Sequence, residues 1–195
     1  MYIPNRNIIV ICEGPSERAY LQELNRYLAE EAIPLHFIPR SSNGGQYAGV
    51  VKKYKEERSN NRRTEILIWV DRDIYERNND GNMEAYRSKP ADIPDFLFSY
   101  YNFEDFLSMH LDRSTLDRWV SSCVGRNHFT IPSYNSKYIS DFITFIGGAY
   151  RKGDMPIEIN THSLNNLRTH QNDSSIPIKC DFAKVLFGLV DDATG

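Results

Sequence analysis

The stretch "IIVICEGPSERAYLQEL", residues 8–24, decides the fold. Its first half is continuously apolar and β-branched, as a strand covered on both faces must be. Pro15 then stands where a helix takes proline in its first turn, and Tyr20, Leu21, Leu24, Tyr27 and Leu28 recur at helical spacing. Between strand and helix lie Glu13 and Gly14, with Glu17 four residues after Glu13. A strand that ends on one carboxylate, followed by a helix that opens on another, asks what the two acids share.

Working outward, "PLHFIPR" (34–40) reads as a second strand, "SSNGGQY" (41–47) as a loop and "QYAGVVKKYKEERS" (46–59) as a helix. "TEILIWV" (64–70) is a third strand and runs straight into Asp71-Arg72-Asp73; "DFLFSY" (95–100) is a fourth. Alternating strands and helices predict right-handed crossovers and a mostly parallel α/β sheet flanked by helices, Rossmann-like in class. Residues 1–110 are expected to hold that unit. Residues 111–195 are expected to form a helical elaboration on the same domain, with helices near 112–122, 135–150, 160–170 and 179–190.

In parallel α/β sheets, ligands bind beyond the carboxyl ends of the strands. Glu13 follows the first strand directly, and Asp71 and Asp73 follow the third. If the chain stays extended through 71–73, both aspartates share a face, and Glu17 projects from the first helical turn over the same crevice. Carboxylates gathered this closely repel by roughly 4 kcal/mol per pair at 4 Å. A hard divalent cation such as Mg²⁺ or Mn²⁺ relieves that repulsion. Either acidic cluster alone reads as a turn or a helix start; the two together, each at a strand end, point to a metal centre.

Composition narrows the classes. The 195 residues are 41% hydrophobic and 25% charged, an ordinary globular balance, and no apolar run reaches the length of a membrane span. The N-terminal stretch shows none of the features of a secretory signal. Three cysteines, Cys12, Cys123 and Cys180, form no C-x-x-C pair, which suits a reduced, cytoplasmic protein. The net charge of −3 argues against nucleic-acid binding through the whole surface. A local patch is available: residues 52–63 carry six basic and two acidic side chains, a charge of +4, with Lys52, Lys53, Lys55 and Arg58 as candidate phosphate-backbone contacts. Glu104 and His110, in "NFEDFLSMH" (102–110), are further candidates to face the crevice. His162, His170 and Cys180 match no zinc spacing, and "SSNGGQ" is not followed by the Gly-Lys-Ser/Thr of a P-loop.

The pairing of "VICEGPSERAYL" (10–21) with "ILIWVDRDIYE" (66–76) resembles the TOPRIM domain of topoisomerases, primases and nucleases of the OLD (overcoming lysogenisation defect) type. With "SSNGGQYAGVVKKY" (41–54) and "NFEDFLSMH", the chain looks more narrowly like RloB-type proteins found among bacterial restriction and phage-defence genes. The resemblance implies a Mg²⁺-dependent site at Glu13, Asp71 and Asp73, with Glu17 supporting a second metal. It also implies a catalytic lysine, for which Lys184, Lys179 and Lys137 are candidates, Lys184 first. A topoisomerase or primase needs further domains that these residues do not accommodate. The function it implies is phosphodiester hydrolysis of DNA or RNA in anti-phage defence. The alternative is a non-catalytic module that binds nucleic acid or another bacterial defence protein.

Overall fold

A computed structural model describes residues 6–76, 81–100, 102–122, 141–148, 153 and 155–195. Among these residues, five strands form one sheet in the order β2-β1-β3-β4-β5. They are β1 (Arg6–Cys12), β2 (Leu35–Ser41), β3 (Glu65–Asp71), β4 (Leu97–Tyr100) and the two-residue β5 (Lys179–Cys180). The first four are mutually parallel and β5 is antiparallel to β4. The sheet is mostly parallel, as expected.

Helix α1 (Pro15–Glu30) joins β1 to β2, and α2 (Tyr47–Asn60) joins β2 to β3. Two short helices, α3 (Asp73–Glu76) and α4 (Asn82–Arg87), precede β4, and α5 (Phe103–Ser108) and α6 (Arg113–Ser122) follow it. The chain closes with α7 (Thr161–Asn172) and α8 (Asp181–Thr194), on either side of β5.

β1 shows why an unbroken apolar run was required. Ile8 and Val10 point into one core, with Leu21, Leu24 and the helices after β4, while Ile9 and Ile11 point into a second with Val50, Tyr54 and Tyr75. Successive side chains of a strand alternate between faces, so a strand covered on both sides needs apolar residues throughout. The first core also holds Leu116, Trp119, Leu167, Phe182 and Leu186, so residues on both sides of position 110 share it. Phe182 of α8 stacks on Trp69 of β3 with centroids 4.3 Å apart and planes at 9°.

Three local expectations are corrected. β4 begins at Leu97 rather than residue 95, and the helix expected from 179 begins at Asp181, after the chain has paired with β4 as an edge strand. The chain does not stay extended through 71–73: Asp71 ends β3 and Asp73 opens α3, the turn being held by the Arg72 amide donating to the Ser99 carbonyl at 3.0 Å. Of the helix expected over 135–150, residues 141–146 are helical and 135–140 and 149–150 lie outside the described residues.

Candidate metal centre

β1 and β3 run side by side only as far as the Cys12–Trp69 pairing. Two residues on, the Asp71 amide faces the position β1 has vacated, and the Glu13 carboxylate takes it, Oε1 accepting at 2.8 Å. The side chain at the end of one strand therefore continues the ladder to its neighbour. Glu17 is fixed by a different backbone group: Gly14, the extended residue that caps α1, donates its amide to Glu17 Oε2 at 3.2 Å. Negative charge at this position also suits the helix dipole.

These constraints leave one carboxylate oxygen from each of Glu13, Glu17 and Asp71 within 4.8 Å of the other two. Glu17 is buried, and Glu13 and Asp71 are partly so. The Asp71 carboxyl is held well above its ordinary value of 3.8, first by burial and then by the charges of Glu13, Glu17, Asp73 and Glu104. Burial, and then the charges of Glu17 and Glu13, push the neighbouring Cys12 thiol upward. Three carboxylate oxygens in this arrangement could hold a divalent metal, and an all-oxygen donor set suits a hard cation.

The structure thus brings together Glu13, Glu17 and Asp71, whereas the resemblance put Asp73 in the first rank and Glu17 in support. Asp73 is buried at the start of α3, and Glu104 is half-buried in the first turn of α5; both act on Asp71 through their charge. His110 does not face the crevice. Its Nε2 lies 3.1 Å from the Tyr20 hydroxyl and its Nδ1 3.3 Å from the Phe106 carbonyl, and burial pulls it down to about 4. His170 is likewise buried, its Nδ1 2.8 Å from the Met109 carbonyl. Glu13, Glu17 and Asp71 are the one metal-competent group among the described residues.

Lys184 and Lys179 are engaged elsewhere. Lys184 is exposed on α8 and pairs with Asp181 at 3.5 Å. Asp181 accepts the Phe98 amide, which points to the side of β4 away from β3. Lys179 donates to the carbonyls of His170, Gln171 and Asp173, closing the end of α7. Lys137 lies outside the described residues.

The basic stretch also divides. Lys53 lies between Glu56 and Glu57 at 3.2 and 3.0 Å. Arg58 bonds the Thr64 carbonyl at 3.1 Å and covers the Tyr54 ring, so it shapes the turn into β3. Lys52 and Lys55 are exposed. Because α2 returns from the carboxyl edge of the sheet toward the amino edge, Lys55 lies about 12 Å along the helix axis from its start.

Sequence reasoning missed the part played by the loop over the centre. The Glu13 carbonyl accepts the Gly44 amide at 2.9 Å and the Ser41 hydroxyl at 3.2 Å. A Cβ on Gly45 would overlap the Glu13 carboxylate. The Gly44-Gly45 pair was the available signal.

No protein-family model matches the chain, and no curated protein sequence matches it. Among solved structures, the C-terminal region of the Burkholderia pseudomallei OLD protein aligns over 86% of this chain and 97% of that one, at 14% identity and a TM-score of 0.41. Among the described residues, no helix is long and apolar enough to cross a membrane.

Proposed function

We propose that the protein is a divalent-metal-dependent nuclease of TOPRIM type that hydrolyses phosphodiester bonds of DNA or RNA. The observation that carries this reading is the convergence of Glu13, Glu17 and Asp71 oxygens within 4.8 Å. Their place beyond the carboxyl ends of two parallel strands supports it, being where sheets of this class take ligands. Glu13 and Glu17 are each oriented by a backbone amide, so two of the three acids are pre-organised. A Mg²⁺ or Mn²⁺ ion held there would polarise a phosphodiester and lower the pKa of a bound water. Asp73 and Glu104 add negative charge around Asp71 and are the candidates to extend the donor set. The substrate backbone would run toward exposed Lys52 and Lys55 on α2. The motif resemblance supports a role in bacterial anti-phage defence.

The second reading is a nucleic-acid- or partner-binding module that does not cut. It is favoured by the placement of Lys184 on Asp181, beyond β4 from the centre. The experiment that separates the two is incubation of purified protein with plasmid DNA and with single-stranded RNA in Mg²⁺, Mn²⁺ or EDTA. Cleavage with metal that stops in EDTA supports the enzyme. Retention of nucleic acid without cleavage supports the module.

A further inference from the structure

Gly44 and Gly45 are adjacent but are glycines for different reasons. Gly44 adopts φ 128°, a conformation closed to most side chains. Gly45 is not among the residues with positive φ, so its backbone would accept alanine. What it lacks is room: a Cβ there would overlap the Glu13 carboxylate and fall 2.6 Å from Ile74 Cδ1. Both obstacles are ends of flexible side chains, so an added methyl would displace Glu13 rather than break the backbone.

Gly45 is itself held in place. The Tyr75 hydroxyl donates to its carbonyl at 2.9 Å, in a buried setting, and Gly44 and Ser41 fix the preceding backbone to the Glu13 carbonyl. We infer that Gly45 and Tyr75 are positioning residues that keep Glu13 Oε1 on the Asp71 amide and so fix the orientation of the carboxylate offered to a cation. This rests on the metal reading above and adds to it a claim about loop and carboxylate that can be tested separately.

The test is Gly45→Ala and Tyr75→Phe beside wild type, each checked for native circular dichroism, with two measurements. Hydrogen exchange at the Asp71 amide reads the clamp without any metal. A Mn²⁺-induced rise in melting temperature reads the cation. Gly45→Ala should exchange the Asp71 amide about tenfold faster or more, reflecting a lost bond to a charged acceptor. It should also weaken Mn²⁺ binding by about 10–100-fold, as loss of an orienting contact typically does. Tyr75→Phe should move both quantities the same way by less, and it decides the matter alone if Gly45→Ala does not fold. Exchange at Asp71 unchanged in the folded variants would overturn the inference. If wild type shows no Mn²⁺ response, the metal reading fails, while exchange at Asp71 still shows whether Gly45 and Tyr75 hold Glu13.

Discussion

Asp71 concentrates the cost of the arrangement. Its folded carboxyl titrates well above the ordinary 3.8, because burial and four neighbouring acids oppose its charge. An acid raised in this way favours the fold while protonated, so its contribution is complete below its ordinary pKa and disappears as pH rises through the elevated one. Near neutral pH, metal-free Asp71→Asn should therefore melt above wild type. In Mg²⁺ or Mn²⁺ the order should narrow or reverse, since a cation stabilises only the form that binds it. Thermal melts of both proteins, with and without metal, check this; an equal metal response in the two would count against a site at Asp71. Of the residues here, Glu13, Glu17 and Asp71 were legible because each stands at a fixed offset from a strand or helix boundary. The clamp at Gly45 was not, because its meaning is a distance between a loop and a side chain thirty-two positions earlier in the chain. Lys184 misled for the converse reason: its distance from the centre depends on where α8 docks, while its partner Asp181 lies on its own helix.

At the scale of elements, one buried joint ties helix α1 to the segment after α5 and another ties α8 to the sheet. Tyr20 of α1 meets His110, beyond the end of α5, inside the apolar core. His110 titrates near 4 instead of 6.5 because burial disfavours its cation. A histidine lowered in this way stabilises the fold fully above its unfolded pKa, and that contribution is lost as pH falls from about 6.5 to about 4. Urea unfolding of wild type should weaken across this window by up to about 3 kcal/mol from this group, and His110→Gln should flatten much of the slope. An unchanged slope would show that other groups carry the acid response. The second joint is Phe182 on Trp69, which binds α8 to β3. Phe182→Ala should cost about 3–5 kcal/mol in the same unfolding measurement. The alternation from β1 to β3 was readable from periodicity, whereas α3 and α4 before β4 were not, being too short to carry a period. β5 was not, since two residues carry no period and the strand exists only through its pairing with β4.

For the whole molecule, the acidic centre lies beyond β1 and β3, and the basic residues of α2 lead away from it along one face of the sheet. Binding and chemistry should therefore separate. Reversing the charge of Lys52 and Lys55 should weaken nucleic-acid binding and flatten its salt dependence. Asp71→Asn should abolish cleavage and leave binding nearly intact; filter binding and gel cleavage assays over a salt series measure both. The proposed nuclease activity depends on a cation among three carboxylates, and crystals grown with Mn²⁺ address that most directly. An anomalous manganese peak bonded to oxygens of Glu13, Glu17 and Asp71, lost in Glu17→Gln, is the expected result. Well-ordered crystals with no peak there, or with manganese bound only elsewhere, would contradict it.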